Sequence, residues 1–160
     1  MPILIEKTAN FVMPEKMTDI PQFPHKNESF TEDSLFEMFG CAKQGGIRYT
    51  KKHNRVLLID STIMGWRSEY NDEVDMERGF VIYNGTGEDD QSFDAGGYSG
   101  THNKKVKDVD SALLYFIKPK PNHLVFMFPV KYISHSYGME MNRQLRLRRV
   151  IKFKLKILGC

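Results

Sequence analysis

The chain has 160 residues, of which 41% are hydrophobic and 12% aromatic, and its formal net charge at pH 7 is +3. This composition fits one folded domain of ordinary size and excludes a disordered chain. No apolar run approaches the roughly 20 residues that a membrane-spanning helix needs, and no signal peptide is recognisable.

The first 44 residues are predicted to form an arm and a short helix that pack on the main domain. Several prolines favour an extended arm. Ser29 and Glu32 have the spacing of a capping box, and the apolar residues that follow predict a helix over about residues 30–39 that ends at Gly40.

Residues 45–160 are predicted to form the main domain, in which β-strands dominate. His102–Val109 is predicted to form one or two helical turns. Strands are predicted over Gly46–Thr50, Arg55–Asp60, Phe80–Asn84, Ser111–Ile117 and Leu124–Ser134, the first two as a hairpin. The fold class is α+β, mainly β, with a curved sheet or barrel.

The last predicted strand shows the clearest alternation. Its apolar side is Leu145, Leu147, Ile151, Phe153, Leu155 and Ile157. Its other side carries what we call the basic row, Arg146, Arg148, Lys152, Lys154 and Lys156. Because side chains alternate across a strand, we expect the basic row to face solvent.

Charge is separated along the chain. Residues 69–94 contain nine acidic residues and one basic residue, whereas residues 143–160 contain seven basic residues and no acid. This separation favours a basic wall beside an acidic pocket or loop, and two unrelated solvated faces are the alternative.

No motif for catalysis or metal binding is recognisable. Gly85-x-Gly87 follows a strand, but the third glycine of a dinucleotide loop is absent and Glu88 and its acidic neighbours would repel phosphates. The histidines, Cys41 and Cys160 have no zinc spacing. The sequence therefore predicts a binding domain without cofactor or metal, in a reducing, cytoplasmic setting.

Two tyrosines lie near a cluster of acids. Tyr70 precedes Asp72 and Glu73, and Tyr83 follows a dozen residues later, before Asn84. A nucleobase flipped out of a duplex needs flat faces for stacking and polar groups for its Watson–Crick edge. A carboxylate suits cytosine because it accepts from the N4 amine. A solvated acidic loop with core tyrosines is the alternative interpretation.

At these residues the sequence resembles the SRA family (SET- and RING-associated, also called YDG). The family pattern is a glycine–isoleucine start, a V-L strand, a Y-x-D-D-x-D loop and then Y-T-G-x-G. The matching segments stand in the same order, as Gly46-Ile47, Val56-Leu57-Leu58, Tyr70-Asn71-Asp72-Glu73-Val74-Asp75 and Tyr83-Asn84-Gly85-Thr86-Gly87. The likeness covers about residues 45–157 and is greatest for modules of microbial modification-dependent restriction enzymes.

The resemblance implies a twisted barrel of the SRA, or PUA-like, type with short flanking helices, which flips a methylated cytosine into a pocket. Tyr70 and Tyr83 would then stack on the base, and Asn84 would lie beside it. The pocket aspartate of the family falls on Glu73, with Asp72 as the alternative. With the longer Glu73 in this role, 5-hydroxymethylcytosine is expected to bind at least as well as 5-methylcytosine, and Glu73→Gln is expected to cost more than Asp72→Asn.

The resemblance also implies contacts with the duplex itself. Residues 99–105 look like the family's S-G-N-K-R finger with two residues inserted, so Asn103, Lys104 and Lys105 are expected against the duplex. Basic side chains such as Arg146, Arg148, Lys152 and Lys154 are expected to contact phosphates.

The predicted function is that of a DNA-recognition module for modified cytosine in duplex DNA. Its partner is modified double-stranded DNA, with a fused or associated nuclease domain and no membrane. One alternative is a barrel that binds RNA or senses RNA modification. Another is a small Mg²⁺-dependent nuclease that uses Asp72 and Asp75, which metal-dependent cleavage by the purified chain would reveal.

Overall fold

The structure is a computed structural model that describes residues 24–50, 53–62, 72–94, 97–108 and 112–159, without the side chains of 97–99. Residues 1–23 of the predicted N-terminal arm and Tyr70 lie outside these residues. In chain order the elements are β1 (Ser29–Phe30), α1 (Glu32–Phe39), β2 (Ile47–Thr50), β3 (Arg55–Asp60), β4 (Glu73–Asp75), β5 (Phe80–Asn84), α2 (Gly97–Asp108), β6 (Leu113–Lys120), β7 (His123–Met141) and β8 (Leu147–Ile157).

The strands form one eight-stranded sheet in the order β2-β3-β6-β7-β8-β5-β4, and β1 pairs with β7. β3 and β6 run parallel to each other, and the other pairs are antiparallel. The mainly β fold is thereby confirmed. Within the described strands the sheet is open, with β2 and β4 at its edges, so the expected closure into a barrel is not seen.

The sheet is covered on both faces at β3 and β6. Val56 and Leu58 of β3 pack into one hydrophobic cluster with Tyr115 of β6, while Leu57 and Ile59 pack into a second cluster. The second cluster also contains residues of α1, so that helix packs on the sheet. Burial on both faces explains why β3 is a continuous apolar run rather than an alternating one.

Helix α1 was predicted at the right place but with the wrong cap. Thr31 is its N-cap, and the capping box joins Thr31 to Ser34 rather than Ser29 to Glu32. The reason is that Ser29 belongs to β1 and is held by the sheet. The helix ends at Gly40 as predicted, in the left-handed conformation that favours glycine. Among the described residues no helix is long and apolar enough to cross a membrane.

The prediction for the last strand is wrong at its N-terminal end. Leu145 and Leu147 are 75% and 62% exposed, while Arg148 is only 1% exposed. β5 pairs with β8 only from Lys152 onward, and the chain that follows β5 then crosses the earlier part of β8. This crossing segment forms backbone hydrogen bonds with β8, such as that from Gly85 N to Ile151 O (2.8 Å). It covers the side of the strand that was expected to face solvent, so the alternation of buried and exposed side chains breaks here.

Candidate functional site

A cavity of about 410 Å³ lies where β2, β3 and β5 meet a glycine-rich loop. We call Gly85–Glu88 the cavity loop. The lining consists of Gly45, Gly46, Arg48, Ile59, Ser61, Asp72, Tyr83, Asn84, Gly85, Thr86, Gly87, Glu88, Lys118 and Arg143. The cavity has the size of a small-molecule site.

Two aspartates, which we call the acid pair, lie close together: Asp72 lines the cavity, and Asp60 is hydrogen-bonded to it. Asp60 ends β3 and accepts hydrogen bonds from the backbone N–H of Thr62 (2.8 Å) and from the Tyr115 hydroxyl. Asp72 precedes β4, and its Oδ1 accepts from the backbone N–H of Asn84 (2.7 Å). The backbone N–H of Asp72 donates to Thr62 Oγ1 (3.0 Å), so Thr62 joins the two aspartates.

The surroundings of Asp72 favour its protonated form. Burial raises the pKa of the Asp72 carboxyl well above its usual range. The charge of Asp60, a hydrogen bond between the Asp60 and Asp72 carboxyls and the charge of Glu140 raise it further, against the bond from Asn84. Burial and the Asp60 charge also raise the pKa of Tyr115, which therefore remains a donor. Two adjacent carboxyls resist double ionisation. Asp72 thus keeps a proton at pH values where an exposed aspartate is ionised, and it both donates and accepts.

Tyr83 forms part of the cavity wall and is 2% exposed. Its hydroxyl lies within hydrogen-bond distance of two carbonyl oxygens, those of Gly46 (3.0 Å) and Ile59 (2.9 Å), and donates to them. A Cβ at Gly46 would come within 2.9 Å of this hydroxyl, so glycine is needed there. The ring packs edge-on against Tyr115 and belongs to the hydrophobic core.

Asn84 is fixed by an ion pair on the neighbouring strands. Its Nδ2 donates to Glu140 Oε1 (2.8 Å), and its Oδ1 accepts from Lys152 Nζ (3.2 Å). Lys152 also pairs with Glu140. The Lys152 stem passes over Gly138, where a Cβ would come within 2.9 Å of Lys152 Cε. Lys152 therefore supports the cavity wall.

Buried polar side chains hold the cavity loop in place. We call them the loop supports, Gln91, Asn103, Asn142 and Arg148, and each is at most 4% exposed. Asn103 bonds both backbone groups of Thr86, since its Oδ1 accepts from the N–H (2.8 Å) and its Nδ2 donates to the oxygen (3.0 Å).

The other loop supports bond carbonyl oxygens further along the loop. Gln91 Nε2 donates to the oxygen of Gly87 (3.1 Å), and Arg148 Nη1 donates to the same oxygen (2.9 Å). Asn142 Nδ2 donates to the oxygen of Glu88 (3.0 Å). Because buried backbone groups need partners, these side chains determine the shape of the loop.

A second ion-pair network forms the opposite wall. Glu32 accepts from Arg48 Nη1 (2.6 Å) and from Lys118 Nζ (3.0 Å). Burial opposes ionisation of Glu32, but the bonds from both cations outweigh it and lower the pKa of this carboxyl. With two cations for one anion, this wall has a positive net charge beside the cavity.

Comparison with known proteins identifies the family. The family model described as "ScoMcrA-like, SRA domain" matches residues 27–159, which is most of the chain. The chain belongs to this family. The SRA domain matches no curated protein sequence.

Solved structures share the fold of this SRA domain at low sequence identity. The sulfur binding domain and SRA domain of ScoMcrA complexed with phosphorothioated DNA is 17% identical, with a TM-score of 0.64 over 86% of this chain and 40% of that chain. The DNA recognition domain of the cytosine modification-dependent restriction endonuclease LpnPI is 12% identical, with a TM-score of 0.65 over 89% and 77%. The SUVH5 SRA domain in complex with hemi-methylated CG DNA is 21% identical, with a TM-score of 0.59 over 88% and 94%. The chain thus spans less than half of the ScoMcrA chain.

The SRA domain brings Asp72, Tyr83 and Asn84 together at the cavity, but not Glu73. Glu73 begins β4, is exposed and lines a separate groove with Lys154. Neighbouring residues of a strand face opposite sides, which explains the separation of Glu73 from Asp72.

The predicted finger is part of helix α2. Asn103 is fully buried beneath the cavity loop and has no exposed surface for a duplex. Lys104 is exposed, and the Lys105 ammonium lies 4.1 Å from the ring centroid of Tyr49. Of these three residues, Lys104 and Lys105 remain predicted DNA contacts.

The basic row does not form one solvent-facing row. Arg148 is buried at the cavity loop and Lys152 is bound to Glu140, because the loop and β5 cover this side of β8. Arg146, Lys154 and Lys156 are exposed, and the Lys154 ammonium lies 4.4 Å from the ring centroid of Phe80. These three cations remain available for phosphates.

Sequence reasoning missed several residues that shape the site. Asp60 had a signal, because it is the one acid at the end of the buried strand Arg55–Asp60. Tyr115 lies inside an apolar strand, and Glu140 and Asn142 act through partners more than fifty positions away in the chain. Such distant pairing leaves no local pattern.

Replacing Gly85 with alanine is expected to lower the free energy of unfolding by about 1–3 kcal/mol. The new Cβ would lie 2.7 Å from Asn103 Oδ1 and 2.8 Å from Gln91 Oε1, and both side chains are held by other bonds. Urea unfolding measures the loss. The control is Gly159→Ala, where a Cβ meets nothing within 4 Å and only the positive φ matters. An equal loss in both variants would contradict the packing argument.

Proposed function

We propose that this SRA domain recognises a modified cytosine in duplex DNA by taking the flipped base into the cavity. The observation that carries this proposal is the acid pair, which presents an enclosed carboxyl that favours its proton. The family match and the DNA complexes of similar folds support modified DNA as the class of ligand: the SUVH5 complex contains hemi-methylated CG DNA, and the ScoMcrA complex contains phosphorothioated DNA.

The chemistry of cytosine fits a protonated Asp72. Cytosine offers an N4 amine that donates and an N3 atom that accepts. By exchanging its hydrogen bond with Asp60 for one with the base, a protonated Asp72 would accept from the amine and donate to N3, which gives two parallel hydrogen bonds. Thymine accepts where cytosine donates and donates where cytosine accepts, so these two hydrogen bonds discriminate cytosine from thymine. In this reading Asp72, rather than Glu73, recognises the base, and stacking on Tyr70 and Tyr83 stays a prediction.

We further propose that the domain is the recognition part of a modification-dependent restriction endonuclease. The similarity to the restriction endonucleases ScoMcrA and LpnPI supports this role. DNA cleavage then belongs to a fused or associated domain. Over the described part of the chain, no group of three or more His, Cys, Asp or Glu residues is arranged to hold a metal ion.

Binding to matched duplexes tests the proposal. The duplexes carry cytosine, 5-methylcytosine, 5-hydroxymethylcytosine or a phosphorothioate linkage, and an RNA of the same sequence is the fifth probe. We expect the two modified cytosines to bind at least about tenfold more tightly than cytosine, the difference of one good base contact. We expect 5-hydroxymethylcytosine to bind at least as well as 5-methylcytosine, since the cavity of about 410 Å³ leaves room for a hydroxyl. Equal affinity for every DNA would refute the proposal, and a preference for RNA would favour the RNA-binding alternative.

Reversing two exposed charges of β8 should weaken binding to all DNA alike. Lys154→Glu combined with Lys156→Glu removes two phosphate contacts, so the slope of log affinity against log salt should fall by about 1.8. The matched control is Lys43→Glu with Lys120→Glu, at exposed positions of other elements. Affinity measured at several salt concentrations gives the slope, and an unchanged slope would show that these lysines do not contact DNA.

A further inference from the structure

The turn that joins β7 to β8 contains the most exposed large apolar side chain among the described residues. We call residues 142–146 the rim turn. Leu145 lies within it and is 75% exposed, with a φ of +62°. A left-handed conformation is uncommon for leucine, and glycine or asparagine would suit this backbone better. The turn therefore exposes an apolar side chain that its own folding does not require.

The rim turn is rigid. Asn142 Oδ1 accepts from the backbone N–H groups of Gln144 (2.9 Å) and Arg146 (3.0 Å). The backbone adds bonds from Asn142 N to Arg146 O (2.9 Å) and from Leu145 N to Asn142 O (3.0 Å). Leu145 is thus held in place before any partner binds, which reduces the entropy cost of inserting it.

The rim turn is attached to the cavity. Asn142 donates to the oxygen of Glu88 in the cavity loop (3.0 Å), and Arg143 lines the cavity itself. The rim turn therefore adjoins the cavity that is proposed to hold the base.

We propose that the rim turn enters the duplex where the base is flipped, with Leu145 filling the space that the base leaves. This inference rests on the proposed function. A flipped base leaves an apolar gap between the flanking base pairs, and apolar side chains are known to wedge between base steps. Leu145 is apolar and exposed, and its turn adjoins the cavity through Asn142 and Arg143.

Charge near the rim turn favours DNA as the occupant over a protein surface. Arg143 and Arg146 flank Leu145 and are exposed, so phosphates on either side of the gap find cations. The negative charges of the neighbouring loop are partly compensated. Arg146 Nη2 lies 3.9 Å from Asp89 Oδ1, and Asp90 Oδ1 accepts from the backbone N–H of Arg149 (2.7 Å).

The test compares Leu145→Gly with the unaltered chain on two DNA probes. In one duplex 5-methylcytosine is paired with guanine, and in the other it lies opposite an abasic site. Leu145→Gly should weaken binding to the paired duplex about tenfold, as expected for losing one buried leucine side chain. On the abasic probe the change should stay below about twofold, because no pair must be opened and held apart. Glycine suits the positive φ, so the variant should fold.

Two controls separate the possible failures. Met76→Ala removes another exposed apolar side chain from a turn at the far end of β5 and should not change either affinity. Wild-type affinity of Leu145→Gly for the paired duplex would overturn the proposal and favour a protein partner for this turn. An equal loss on both probes would also overturn it, as would an equal loss in Met76→Ala. If the unaltered chain does not prefer 5-methylcytosine to cytosine, the proposed function fails and the rim-turn proposal fails with it.

Discussion

Replacing Asp72 with alanine is expected to remove most of the preference for 5-methylcytosine over thymine at the flipped position, whereas Glu73→Ala should leave that preference nearly unchanged. The lost pair of hydrogen bonds corresponds to about 1–3 kcal/mol, or roughly ten- to hundredfold in affinity. The two residues are adjacent acids, but only Asp72 lines the cavity. Competition between duplexes that carry 5-methylcytosine or thymine at the same position measures the preference in each variant.

The outcome decides which acid recognises the base: Asp72, as the cavity indicates, or Glu73, as the family alignment indicates. A larger loss at Glu73 would show that the base is read from the other side of β4 and that the cavity is not the pocket. Loss of all DNA binding in Asp72→Ala would instead indicate damage to the fold, and thermal unfolding checks this directly.

The protonation state of Asp72 gives a second readout. Because its pKa is raised, the proton is present below that pKa and is lost as the pH rises through it. If the protonated form reads the base, the preference should hold below the raised pKa of Asp72 and decline as the pH rises through it. A reading by the carboxylate predicts the opposite, since affinity would then increase with pH.

Two conservative variants test this assignment. Asp72→Asn keeps one acceptor and one donor without a titrating proton, so it should retain part of the preference and lose its pH dependence. Asp60→Asn removes the neighbouring charge and should move the decline to lower pH. Asp60, Glu140, Tyr83 and Tyr115 all lie around Asp72, so an unchanged profile in Asp60→Asn would assign the titration to another of these groups.

The strands were predictable because their patterns are local. The hairpin of β2 and β3 and the strand Phe80–Asn84 were found from runs of apolar residues bounded by turn residues. The family order of short motifs placed Asp72, Tyr83 and Asn84 near one another, and they line one cavity.

The supporting residues were not predictable because their environment depends on distant parts of the chain. Arg148 has the alternation of a surface residue, but the cavity loop, sixty positions earlier, covers it. Asn103 stands in a basic, polar segment typical of a surface, yet it is buried because Thr86 requires its bonds. A pattern of hydrophobicity along one strand cannot reveal which loop folds over it.

Replacing Asn103 with alanine is expected to lower the free energy of unfolding by about 2–4 kcal/mol, whereas Lys104→Ala should change it by less than about 0.5 kcal/mol. Alanine leaves the backbone N–H and oxygen of Thr86 without their side-chain partner in a buried region. Each unsatisfied buried group costs about 1–3 kcal/mol, and total stability of a domain is only about 5–15 kcal/mol. Urea unfolding of both variants measures the difference.

In DNA binding we expect the order of the two variants to reverse, with Lys104→Ala having the larger effect on the salt dependence of affinity. Lys104 is exposed, so Lys104→Ala should weaken all duplexes alike and reduce the salt slope by about 0.9 if this lysine contacts one phosphate. Asn103→Ala leaves the charges intact, so the slope should stay the same while the preference for modified cytosine declines as the cavity loop loosens. If Asn103→Ala lowered the salt slope without loss of stability, Asn103 would act at the duplex as the family finger implies, and its burial in the free protein would have to change on binding.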